Sequence, residues 1–199
     1  AGQSCISVQR VFIHDSLYEK LVPKIVEKTK ALALEDAYNE STVVGPLINE
    51  AAAQRVEEWV GEAVAAGATV LTGGTRDGAY YAATVLADVP VDAKVSSCEV
   101  FGPVIVLTKV SSTAEAFAAV NNSDYGLQAG VFTHDIQTAF LAQSTLEVGG
   151  VIIGDVPAFR ADHMPYGGLK NSGVGKEGVR WAMEDLTHER IMVLTGLEL

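Results

Sequence analysis

Three short stretches carry the residue types that do chemistry. The first is AGQSC, where Cys5 follows a Gly-Gln pair. A cysteine attacks a carbonyl only as the thiolate, which needs backbone donors, a helix N-terminus or a nearby cation. None is evident beside Cys5, so residue type alone leaves it open between a nucleophile and a buried small hydrophobe. The second is SSCEVFGPV, residues 96–104, where Glu99 stands at the mouth of an apolar run. In an α/β sheet that position faces the usual ligand crevice, where a carboxylate can accept hydrogen bonds from ribose hydroxyls. Taken alone, Glu99 reads better as a solvated loop acid, and its neighbour Cys98 as packing. The third is FRADHMPYGGLKNSGVGKEG, residues 159–178, rich in glycine and holding Arg160, His163 and Tyr166.

Two chemistries are set aside on spacing. Gly173-x-Gly175-x-x-Gly178 fits the dinucleotide expression, but it follows a polar loop rather than a strand. The four histidines, at 14, 134, 163 and 188, lack metal-ligand spacing, so no metal is expected.

The elements that position these residues follow from periodicity. β-branched and aromatic runs predict strands at 6–14, 68–74, 80–89, 103–110, 127–133, 151–154 and 190–194. Helical spacing and caps predict helices from Asp15-Ser16, over 49–66, from Ser111–Thr113 to Val120, from His134-Asp135 to about Leu146, and near 176–184. Pro23 predicts a kink or break in the first helix. VIIG, at 151–154, lacks polar alternation and predicts a central strand buried on both faces. Strands alternating with helices predict an α/β fold, three layers deep, with a mostly parallel, doubly wound sheet.

Composition narrows the function. Formal net charge is −11, which repels phosphate backbones and argues against nucleic acid as a partner. Hydrophobic residues make up 48% and charged residues 20%, which predicts a folded globular chain. The apolar runs are too short to span a bilayer, and no secretory leader pattern opens the sequence. With two cysteines only, a disulfide scaffold is not expected and a cytoplasmic location is.

Taken in order, GQSC, EVFGPV, YGLQAGVFT and MPYGGLKNSGVGKEG resemble the aldehyde dehydrogenase superfamily over essentially the whole chain. The runs CISVQR and FRADHMPYGG look most like its lactaldehyde, glyceraldehyde-phosphate and phosphonoacetaldehyde branch. The resemblance implies a catalytic domain over 1–187 and an oligomerisation strand over 188–199. It implies that Cys5 is the nucleophile, with its own N–H as half of the oxyanion hole. It further implies that Glu99 holds the nicotinamide ribose, Phe101 packs against the nicotinamide end, and Tyr166 lines the aldehyde pocket. Arg160 or His163 is a candidate for an anionic group on the substrate. The implied activity is NAD- or NADP-dependent oxidation of a small aldehyde to an acid, by a homo-oligomer away from membranes. No counterpart of the family's dinucleotide-binding domain is found in these residues. The expectation is therefore a fragment, inactive by itself, with an exposed apolar patch around Cys5, Phe101 and Tyr166. A non-catalytic association domain and a coenzyme-A-acylating relative stay open as alternatives.

Overall fold

The computed structural model describes residues 2–196 and 198. In chain order the elements are β1 (Arg10–His14), α1 (Asp15–Lys30), α2 (Glu50–Ala65), β2 (Thr69–Thr72), β3 (Arg76–Asp77), β4 (Tyr80–Tyr81), β5 (Thr84–Ala87) and α3 (Lys94–Ser97). Then come β6 (Val104–Val110), α4 (Thr113–Asn121), β7 (Tyr125–Gly126), β8 (Gln128–Val131), α5 (Ile136–Thr145), β9 (Gly150–Ile153), β10 (Leu169–Lys170) and α6 (Val179–Leu186).

The main sheet has the order β1-β6-β5-β2. β6 pairs in parallel with both β1 and β5, and β2 closes the far edge antiparallel to β5. Alternation sorts its side chains between two cores. Val85 and Leu107 point to the face covered by Tyr18, Leu21, Val22, Ile25 and Val26 of α1. Leu86, Val104 and Val106 point to the other face, where Ala53, Val56, Val60 and Ala63 of α2 cover them. This is the expected three-layer α/β arrangement. A separate parallel pair, β8–β9, shares a third core with Phe117 of α4 and Ala142 of α5.

Several expectations are corrected. The first strand spans Arg10–His14 rather than 6–14. Residues 4–7 form a turn closed by Ser7 N–H donating to Ser4 O at 2.9 Å. The partner strand β6 starts at Val104, just after Pro103, which has no N–H to extend the ladder. α1 runs unbroken through Pro23 because the apolar seam on both sides of it stays packed on the sheet. The run 80–89 is cut at Ala82-Ala83, where the chain leaves a hairpin with β3 and joins the main sheet. β9 is not buried on both faces: it pairs only with β8, and Ile153 is exposed. Residues 190–194 form no strand: they pair with no sheet edge among the described residues, and Ile191 is 91% exposed. Leu197 and Leu199 lie outside the described residues.

Leu107 is a test of the α1 side, since it is buried between β6 and the helix. Leu107→Ala is expected to lower unfolding free energy by about 2–5 kcal/mol in urea titration, and Leu107→Met by less than ~1.5 kcal/mol.

Candidate active site

Cys5 is held by its neighbours rather than by a helix. It occupies the Ser4–Ser7 turn, and its thiol is free and exposed. Gly2, at φ 74°, lies so close to the Gly102 carbonyl that a Cβ would overlap it. Only glycine allows both that conformation and that approach. Gln3 fastens the same loop from the other side. Its Nε2 donates to Pro46 O at 3.2 Å, and its Oε1 accepts from Ile48 N–H at 2.8 Å. The Gly-Gln pair thus seats the thiol against the turn that contains Phe101 and Gly102.

Glu99 is exposed, but the backbone carrying it is fixed. Gln9 Nε2 donates to Val95 O at 3.0 Å and to Cys98 O at 2.7 Å. Gln9 Oε1 accepts from Val100 N–H at 2.9 Å. Arg55 Nη2 donates to Val100 O at 2.7 Å, and its guanidinium stacks over Trp59. Next in the chain, Phe101 has φ 48°, a left-handed conformation costly for an aromatic residue. Its ring is 41% exposed. Cys5, Ser7, Gln9, Glu99, Phe101 and Gly102 line one crevice of about 50 Å³.

Tyr166 arrives from the opposite end of the chain. Its hydroxyl is 2.7 Å from Cys5 Sγ. It is only 6% exposed, so it does not contribute to the exposed patch expected around Cys5. The most exposed aromatic side chains of the β8–α5 region are instead Phe132 and Phe140. Arg160 covers the Tyr166 ring, with Cζ 4.1 Å from its centroid. Arg160 also pairs with Glu177 at 2.9 Å. Two backbone bonds tie Tyr166 to Glu177, Tyr166 N–H to Glu177 O at 3.1 Å and the reverse at 2.6 Å. These bonds consume Glu177, so the following helix starts at Val179 instead of near 176. Burial first, then the hydrogen bond and charge of Cys5, push the Tyr166 phenol up to about 12. It is therefore protonated at neutral pH.

Of the residues singled out by sequence, Cys5, Glu99, Phe101 and Tyr166 come together, and Arg160 joins them through Tyr166. His163 is exposed and lines neither the crevice nor the open groove beside Arg160. Gln9 was not anticipated. Its one signal is a polar residue inside the β-branched run ISVQRVFIH. Among the described residues no group of three or more His, Cys, Asp or Glu side chains is placed to hold a metal ion. No described helix is long and apolar enough to cross a membrane.

The chain matches the aldehyde dehydrogenase family over residues 1–192. It belongs to that family. A 3-sulfolactaldehyde dehydrogenase from Priestia aryabhattai is 51% identical over 194 residues, 98% of this chain and 41% of the relative. A lactaldehyde dehydrogenase from Methanococcus vannielii is 40% identical over 99% of this chain and 42% of the relative. The crystal structure of aldehyde dehydrogenase 21 from Physcomitrella patens, in complex with the reaction product succinate, superposes with TM-score 0.91 at 49% identity. That match covers 92% of this chain and 38% of the other. An NADP complex of a glyceraldehyde-3-phosphate dehydrogenase from Methanocaldococcus jannaschii gives TM-score 0.89 at 39% identity, over 93% and 40% of the two chains. The chain thus spans about two fifths of the length of the curated aldehyde dehydrogenases it matches.

Gln9 offers a direct check on how this crevice is built. Gln9→Leu leaves one N–H and two carbonyls of the 95–100 segment without their partner. A loss of about 1–3 kcal/mol in unfolding free energy is expected. Faster amide exchange at Val100, with Leu107 unaffected, locates the loss in the loop.

Proposed function

We propose that this chain forms the nucleophile-bearing part of an NAD(P)-dependent enzyme that oxidises a small aldehyde to a carboxylic acid. One observation carries the reading. A free, exposed thiol on a rigid turn shares a crevice with a carboxylate and a half-exposed aromatic ring from 94 and 96 residues away. Membership in the aldehyde dehydrogenase family supports it, as do the activities for which the relatives are named.

The Cys5 thiolate attacks the carbonyl carbon, forming a C–S bond and a tetrahedral oxyanion. The Cys5 backbone N–H is the proposed donor to that oxyanion, where one such donor contributes ~3 kcal/mol in related chemistry. The residues suit the nicotinamide-ribose end of a dinucleotide. Glu99 presents two acceptor oxygens to a vicinal diol, and Phe101 presents a flat apolar face. When bound, NAD or NADP supplies the acceptor for the hydride that leaves the former aldehyde carbon. Cys5 is then left acylated as a thioester, which water cleaves to release the acid and restore the thiol. The relatives act on short polar aldehydes by name, and the same substrate class is proposed here. Glu99 and Phe101 offer the cofactor one end only, so this chain by itself is expected to turn over slowly or not at all.

The apolar segment 190–194 is proposed to pair with a sheet edge of a second copy, making a homo-oligomer. Its exposed Ile191, Met192, Val193 and Leu194 support this.

Acylation of Cys5 isolates the step this chain can perform. With 4-nitrophenyl acetate, a stoichiometric burst and an acetyl group on the Cys5 peptide are expected, both lost in Cys5→Ala. Acetylation at Cys98 alone, or no burst, would overturn the nucleophile assignment. For the oligomer, deleting residues 188–199 is expected to shift the mass by light scattering to that of a monomer, and an unchanged oligomer would refute the pairing.

A further inference from the structure

The Tyr166 hydroxyl is directed at the one atom that the proposed reaction needs free. The hydroxyl is not required for packing, because phenylalanine would fill the same enclosed ring space under Arg160. Its hydrogen-bond partner is Cys5 Sγ, at 2.7 Å. A phenol keeps its proton through the range where thiols ionise, so between the two groups the oxygen donates and the ionised sulfur accepts.

We propose that Tyr166 is the residue that holds the Cys5 thiolate: its O–H donates to Sγ, and Arg160, stacked on the ring and clamped by Glu177, strengthens that donation. This rests on the reading of Cys5 as the nucleophile.

The physical case has three links. A hydrogen bond to the charged form of a group favours that form, so the phenol raises the thiolate fraction of Cys5. A guanidinium over a ring face draws electron density from it and makes its O–H a stronger donor. Glu177 fixes both partners at once, pairing with Arg160 at 2.9 Å and bridging the Tyr166 backbone in both directions. Arg160 does not touch the sulfur and is a positioning residue. The arrangement has a cost for reactivity. A thiolate that accepts a hydrogen bond is a weaker nucleophile, because nucleophilicity falls as basicity falls. Tyr166 therefore trades reactivity per thiolate for a larger thiolate population near neutral pH.

That trade has a kinetic signature which loosened packing does not produce. The experiment follows alkylation of Cys5 by iodoacetamide against pH, by mass spectrometry of the Cys5 peptide. Cys98 in the same molecules is the internal reference. In Tyr166→Phe the Cys5 profile is expected to move upward by about one pH unit, as loss of a charge-assisted hydrogen bond implies. At pH 7 the variant reacts about threefold more slowly, yet its high-pH plateau is about threefold faster, so the two profiles cross. Arg160→Gln is expected to move the profile the same way by less, and to add little in the Tyr166→Phe background. An unchanged Cys5 profile, a shift to lower pH, or a variant faster at every pH would overturn the proposal. Matching thermal unfolding of the variants secures the comparison, and Arg160→Gln tests the same proposal if Tyr166→Phe fails to fold. The two readings fail separately. A normal acylation burst with no profile shift refutes the role of Tyr166 alone, and a profile shift without acylation refutes the nucleophile reading alone.

Discussion

Everything at the crevice depends on the side-chain amide of Gln9. Strands and long helices satisfy most backbone groups by themselves, but residues 95–100, which cover most of the one-turn helix α3 and the chain that leads on toward β6, need outside partners. Gln9 supplies three of them, two donated and one accepted, from the residue just before β1. β1 follows the turn that carries Cys5, so one amide locks the Cys5 turn and the Glu99 segment to a common frame. Arg55 completes the loop from α2. The result is a rigid backbone beneath an exposed Glu99, which leaves that carboxylate free to meet a ligand without the loop having to order first.

Charge on this acidic chain acts chiefly through geometry. The ion pairs lie at partly or fully exposed side chains, where water and salt screen them and each contributes little to stability. Arg160–Glu177 is of this kind, and its contribution to stability is correspondingly small. What it determines is where a guanidinium rests: flat on the ring of a buried tyrosine whose hydroxyl meets the thiol. Arg10 shows the same use in the scaffold. Burial pushes its guanidinium down from the usual range, and its Nη atoms donate to Ala119 O and Val120 O at 3.1 Å each. Those carbonyls lie in the last turn of α4, so a cation of β1 finishes a helix of the neighbouring layer.

Much of this was legible before any coordinates. The alternation of strand and helix predicted the layers, and the family resemblance, through three of its four ordered motifs, singled out Cys5, Glu99, Phe101 and Tyr166. Two kinds of information were not legible. The first is contact between distant side chains. Nothing in the residue types says that Tyr166 turns its hydroxyl to Cys5, or that Gln9 spends its amide on backbone rather than water. The second is where a ladder stops. VIIG and RIMVL have strand composition, but composition reports a preference for pleated surface and not the presence of a neighbour. Among the described residues β9 has one neighbouring strand and 190–194 has none. Tyr166 shows the limit of residue type: an aromatic position says nothing of where its hydroxyl goes, and here that hydroxyl is 2.7 Å from Cys5 Sγ.

The Cys5–Tyr166 bond joins positions 161 residues apart. A ribosome adding ~5–20 residues per second needs roughly 10–30 s to cover that interval. Throughout it, the thiol has emerged while its phenol partner does not yet exist. Newly made chains therefore pass through a period in which Cys5 lacks the hydrogen bond proposed here to hold its thiolate. Closure over so many residues costs more chain entropy than a local contact does.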